Sequence, residues 1–248
     1  MSADQTSKTG MLWWALALLL VISLAVAVVV YLIHLAYQAR LDLLRTTLLH
    51  DSFLSGTPCA PPCWHGIVPG ETSRSQALQR LEDHPYIRTS SLEEAGTSER
   101  GGVLWLWREA TGTSVASGVS WEDDIVQEIR LGLPPGLTVE QVVERFGAPE
   151  AVKVAIGGVP EHTYYIIDLY YPGAGIQFDA YTREGESALE PSTRVTAVLL
   201  FVPTTLEQRV LTEYGEGSFS HIMGIMRPWQ GYGELFEIYY ESLRELEG

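Results

Sequence analysis

Residues 134–149 read PPGLTVEQVVERFGAP, and this stretch sets the fold class. Pro135 and Gly136 turn the chain. Thr138 sits where a helix N-cap belongs, and Gln141 follows three residues later, the spacing of a capping box. Glu140 falls in the first turn, where the helix dipole favours a carboxylate. Val142, Val143 and Phe146 recur at helical spacing and form one apolar stripe. Gly147 is placed to end the helix, and Pro149 prevents its resumption. The segment predicts a short amphipathic helix entered through a Pro-Gly turn.

The pattern has an earlier copy. Gly66-Ile67-Val68-Pro69-Gly70-Glu71-Thr72 matches Gly132-Leu133-Pro134-Pro135-Gly136-Leu137-Thr138, 66 residues later. In the first copy Gly70 and Thr72 hold the turn and cap positions, or Ser73 caps with Gln76. Ala77, Leu78 and Leu81 form the stripe, and the helix is expected to end near His84-Pro85. Strand signals follow each helix. After the first they are Tyr86–Ser91 (weak), Val103–Glu109, Ser114–Trp121 and Ile125–Leu131. After the second they are Ala151–Ile156 (weak), Thr163–Tyr171, Gly175–Tyr181 and Arg194–Val202. Thr111-Gly112, Asp123-Asp124, Gly157-Gly158 and Pro172-Gly173 read as turns between them. The reading is α+β, with two tandem helix-then-antiparallel-sheet repeats over residues 58–131 and 132–203.

The Pro-Gly-x-Thr turn, the amphipathic helix and the closing Gly-x-Pro of residues 134–149 resemble the repeat of the SmpA/BamE outer-membrane assembly lipoproteins. The tandem layout is similar to that of the β-lactamase inhibitor protein, over residues 64–203. The resemblance implies a domain that binds other proteins. An apolar helix stands here where the SmpA/BamE lipoproteins carry a lipid anchor. An N-terminal span followed by PCW-x-G-I-x-P-G-x-T also resembles the layout of membrane proteins from filamentous green bacteria.

That span is residues 11–37, MLWWALALLLVISLAVAVVVYLIHLAY, which contain no Asp, Glu, Lys or Arg. As a helix the run is roughly 40 Å long, more than the ~30 Å hydrocarbon core of a bilayer. Trp13 and Trp14 at one end and Tyr31 and Tyr37 at the other suit the two interfaces. A cleavable signal peptide is the competing reading. Ala25-Val26-Ala27 offers a local cleavage site, but the apolar run continues beyond it. Residues 1–10 are then a cytoplasmic tail and 38–57 a stalk, with Leu41, Leu44 and Leu48 on one helical face. Loop charge barely orients the span, so the cysteines decide. Cys59 and Cys63 are the only two, in PCAPPCW, and a lone close pair reads as one disulfide in an oxidising compartment. Free thiols, a redox pair and a metal site are the alternatives. The expectation is a single-pass cell-membrane protein with its C-terminal domain extracytoplasmic.

Composition narrows the function. Thirty-one acidic against 16 basic residues leave a net charge of −15, which repels nucleic-acid phosphate. Lysine occurs only at 8 and 153, and the absence of Asn excludes N-linked glycosylation. No nucleophile elbow, zinc-protease motif or phosphate-binding loop is present. No cofactor and no metal are expected. Residues 204–248 read as a helical extension: Thr205 and Gln208 open a short helix, Gly215-Glu216-Gly217-Ser218 breaks it, and Leu235, Tyr239, Ser242, Leu243 and Leu246 line a final helix.

The functional expectation is a membrane-anchored binding module for an envelope or membrane protein, and not an enzyme. Trp105, Trp107, Trp229 and Tyr232 are candidate interaction residues. The alternatives are an accessory subunit assembled through span and stalk, and a hydrolase using carboxylates such as Glu122, Asp123 or Asp179.

Overall fold

The computed structural model describes residues 5–45, 54–107, 116–159 and 162–244. Two compact units divide the chain, Met1–Leu43 and Leu44–Gly248. The first is carried by helix α1 (Gln5–Arg45). Its segment Leu16–Arg40, with mean hydropathy 3.1, is long and apolar enough to cross a membrane or to serve as a signal sequence. The described side chains from Leu16 to Tyr37 are exposed, which an apolar helix tolerates only in lipid or another apolar setting. Leu48 and the far end of the stalk lie outside the described residues.

The second unit is mixed α+β around one antiparallel sheet. Its elements in chain order begin with α2 (Arg74–Glu82), β1 (Glu93–Gly96), β2 (Arg100–Trp105), β3 (Ser117–Glu122) and β4 (Ile125–Gly132). Then come α3 (Val139–Phe146), β5 (Ala151–Val159), β6 (His162–Tyr171), β7 (Ile176–Tyr181), β8 (Ala188–Leu189) and β9 (Arg194–Phe201). The chain continues through α4 (Leu206–Tyr214), α5 (Glu216–Ile225), β10 (Gly233–Glu234) and α6 (Leu235–Arg244). Among the described residues the main sheet has eight strands, in the order β1-β2-β3-β4-β9-β7-β6-β5. β8 and β10 form a separate ribbon.

One face of the sheet carries the main core. Val103, Trp105, Val119, Trp121, Ile129, Leu131, Val154, Ile167, Leu169, Phe178 and Val198 alternate inward, as period-2 patterning requires. Ala77 and Leu81 of α2, Val139 and Val142 of α3, and Leu235 and Tyr239 of α6 pack into the same core. Leu78, Val143 and Phe146 are half-buried at its margin. Both short helices open with complete capping boxes, Ser73 with Gln76 and Thr138 with Gln141. The caps also tie each helix to a strand: Ser73 bridges Ile125 at the start of β4, and Thr138 bridges Arg194 at the start of β9.

Several expectations need correcting. Tyr86–Ser91 is no strand. Ser91 Oγ donates to Arg88 O at 2.6 Å and accepts from Leu106 N at 2.9 Å, and this local bonding holds a 3₁₀ turn, with β1 starting at Glu93. Gly157-Gly158 is not a turn but part of β5. A Cβ at Gly157 would meet the Tyr164 ring at 2.5 Å, so glycine makes room for the cross-strand aromatic. Gly215 does end α4, with φ at 75°, yet α5 starts at the next residue. Thr72 is not the helix cap. It is buried, and its Oγ1 accepts the Val68 N–H at 2.8 Å, closing the Pro-Gly turn from inside. The expected turn at Thr111-Gly112, the outer ends of the strands assigned to Glu109 and Ser114, and Leu246 lie outside the described residues.

Candidate functional site

The strand pairings define what the second face of the sheet presents. One row runs Glu93, Leu104, Gly118, Arg130, Leu199, Gln177, Tyr170 and Ala151 from β1 across to β5. The next row runs Ala95, Gly102, Ser120, Glu128 and Phe201. The β5 end of this face is covered by α4 and α5, where Val210 and Met226 bury Ala151 and Tyr170 in a second, smaller cluster. Over β1 to β4 the face is open.

Two contiguous hollows occupy the open half. One, of about 280 Å³, is floored by Gly102, Gly118 and Ser120 and rimmed by Glu93, Leu104, Glu128 and Arg130. The other, of about 360 Å³, lies against α4, with Gln208, Arg209 and Thr212 on that side and Ser120 and Glu128 shared with the first. The floor is low because its side chains are missing or small. A Cβ at Gly118 would lie 2.7 Å from Leu104 Cδ2, and one at Gly102 would lie 2.8 Å from Val119 O. Glycine is the residue that lets Leu104 lie beside Gly118 in this floor. Leu104 itself is 54% exposed, an unusual state for a leucine in the middle of a sheet.

Beneath α4 the second face is polar, and its groups are tied together. Lys153 Nζ pairs with Asp168 at 2.6 Å and donates to the Tyr214 hydroxyl. Arg130 pairs with Asp179 at 2.7 Å, and Gln177 Nε2 donates to the other Asp179 oxygen at 3.2 Å. Arg209, stacked 4.1 Å above the Phe201 ring, reaches Glu128, Glu213 and Gln177. Asp168 and Asp179 face each other across β6 and β7. Burial, reinforced by Asp168, pushes the Asp179 carboxyl up to about 7. Burial also raises Asp168, against the pull of Lys153. Burial works to lower Lys153, but Asp168 and Tyr214 outweigh it, so its ammonium is held above the ordinary lysine range.

The residues singled out in the sequence divide between this face and the other. Trp105 and Trp107 are not surface residues: they are 1% and 3% exposed, inside the main core. Strand parity explains the correction, because the neighbouring Leu104 and Leu106 take the outer positions. Trp64 stacks between Trp105 (5.9 Å) and His84 (5.2 Å), and burial plus the charge of His65 lowers His84 to about 4. Trp229 is half-buried against the core and meets the exposed Tyr232 edge-on at 5.4 Å. Cys59 and Cys63 form the disulfide. Gly70 and Gly147 lie at φ +83° and +80°, and Gly136 at +148°.

The three carboxylates named for a hydrolase are not brought together. Glu122 is paired with Arg100 and Asp123 sits in the β3–β4 turn, whereas Asp179 lies on β7, with β4 and β9 between. Asp168, Gly102, Gly118 and Ser120 were not singled out in the sequence. Two glycines at matching parity in neighbouring strands were the available signal for the floor.

No protein-family model, curated protein or solved structure matches this chain.

Proposed function

We propose that this chain is a single-pass, membrane-anchored binding module whose extracytoplasmic domain holds a segment of an envelope or membrane protein on the open half of its sheet. The observation that carries the reading is the hollow over β1 to β4, where glycine and serine replace side chains that would otherwise fill it. A leucine left half bare beside a glycine floor, with both Glu93 and Arg130 on the rim, suits an apolar side chain flanked by polar groups. The bare α1 helix supports membrane anchoring, and the disulfide supports an oxidising compartment.

We also infer that residues 58–203 are two SmpA/BamE-like repeats. Equivalent backbone bonds support it. Arg74 N donates to Asp124 O and Val126 N to Thr72 O, just as Val139 N donates to Thr193 O and Val195 N to Leu137 O. By that correspondence Arg130 matches Leu199, and these two residues are paired across the β4–β9 seam. Two like units joined last strand to last strand by a local two-fold axis have this register.

The test is differential capture. The full chain and its Ser120→Trp variant are purified from cross-linked membranes in mild detergent, and the co-purifying proteins are quantified. The reading expects a partner that is retained by the parent chain and lost with Ser120→Trp, while thermal melting of the variant stays unchanged. Identical sets of captured proteins would remove the groove from the argument.

A further inference from the structure

The open half of the second face carries complementary groups of its own. In the row Glu93, Leu104, Gly118 and Arg130 an acid stands at the β1 end and a cation at the β4 end, and between them a protruding leucine lies next to a glycine. Leu104 and Leu106 are each 54% exposed, and their common parity puts both on this face. Glu93 makes no ion pair among the described residues. Arg130 is held to Asp179 through Nη2 at 2.7 Å, yet its side chain stays 41% exposed and its planar fork has further donors. The next row, Ala95, Gly102, Ser120 and Glu128, is low up to its last member.

The wall of this half dictates what can lie on it. Gln208, Arg209 and Thr212 of α4 rise beside β4 along the second hollow. A second sheet fits over β1 to β4 only where its own α4 falls outside that span. A two-fold axis running across the strands sets one α4 on top of the other. A two-fold axis parallel to the strands, passing between β2 and β3, reverses the strand order and carries each α4 past the β1 edge of the other copy. Glu93 then meets Arg130 of the second copy, Leu104 meets Gly118 of the second copy, and each contact occurs twice. The two Leu104 side chains come together at the axis. Ala95, Gly102 and Ser120 let the sheets approach closer than the usual ~10 Å. The whole chain carries −15, but on this face Glu93 and Glu128 stand with Arg130 and Arg209, so the contact itself is balanced.

We propose that the segment held on the open half belongs to a second copy of this chain: two open halves stack face to face, each Leu104 over the other's Gly118 and each Glu93 against the other's Arg130. This rests on the reading of that half as a binding surface and names its occupant. An anchor that confines both copies to one membrane raises their effective concentration and favours the pair.

The test uses the full chain in native membranes. Cys59 and Cys63 are bonded to each other, so an introduced cysteine supplies the reactive thiol. Leu104→Cys, treated with a short bismaleimide, should give a covalent dimer on the order of ten times as abundant as Ile156→Cys, a control at a 48% exposed apolar site on β5. In a second arm two differently tagged copies are co-expressed and purified through one tag. Leu104→Asp should cut recovery of the other copy roughly ten-fold or more, because the carboxylate is buried against apolar groups, and Glu93→Arg should lower it by like-charge contact with Arg130. Both positions are exposed, so melting should not change. The cross-linking arm serves even if Leu104→Asp fails to fold. A Leu104→Cys dimer no more abundant than that of Ile156→Cys, or copies that co-purify equally with Leu104→Asp, would overturn the second copy as occupant. If another protein is then still lost with Ser120→Trp, the groove stands and only its occupant is wrong; if none is lost, the binding reading falls as well.

Discussion

Thr72 and Ser73 are neighbouring hydroxyls with different duties. Ser73 Oγ caps α2 by accepting from Gln76 N, and Thr72 Oγ1 accepts from Val68 inside the turn. Ser73→Ala should lower unfolding stability by about 1 kcal/mol, measured by urea denaturation. Thr72→Val strands a part-buried N–H and should cost as much or more, about 1–3 kcal/mol. Gly136 shows the backbone counterpart. At φ +148° it occupies a region nearly closed to a β-branched residue, so Gly136→Val should cost more than the ~1 kcal/mol of a propensity change. Equal costs for Gly136→Ala and Gly173→Ala would show that backbone conformation is not the cause, because Gly173 has open space and no positive φ.

Among the elements, the helices and most strands could be read in the sequence because each announces itself locally. The capping box at Thr138 marks the start of α3 to the residue, the Thr205 cap does so for α4, and at α2 the two candidate hydroxyls place the start to within one residue. Alternation located β3, β4, β6, β7 and β9 within a few residues. What could not be read depended on partners far along the chain. In β2 both parities are apolar, and only pairing with β3 sends Trp105 inward and Leu104 outward. The acid pair was hidden for the same reason, since Asp168 meets Asp179 only through the β6–β7 register. α5 was concealed by Gly215-Glu216-Gly217-Ser218, which has loop composition yet supplies one glycine to end a helix and a carboxylate to start the next. The disulfide closes a very short loop, so reducing it should cost less than the ~3 kcal/mol of a 15-residue loop. A melt with and without reductant measures this directly.

For the whole molecule, two buried titrations pull against each other. His84, held down at about 4, excludes a proton that the unfolded chain accepts, so its contribution is lost as pH falls from about 6.5 toward 4. Asp179, pushed up to about 7, contributes most at low pH and loses that contribution as pH rises toward 7. Over the shared window the slopes oppose. The Tm of Asp179→Asn should therefore rise more steeply from pH 4.5 to 6.5 than that of the parent chain. Topology is tested by fusion: a C-terminal alkaline phosphatase should be active and a C-terminal green fluorescent protein dark, and the reverse would place the disulfide in a reducing compartment.

The β4–β9 seam also imposes a timetable. β4 is complete at Gly132, but its sheet neighbour begins only at Arg194. While the intervening chain is being synthesised, β4 waits with one row of backbone donors and acceptors bare, and that edge can pair with the same edge of a sister chain. A nascent chain stalled near residue 135 is the species most exposed to swapping or aggregation, and factors that hold nascent chains apart should matter most at that point of its birth.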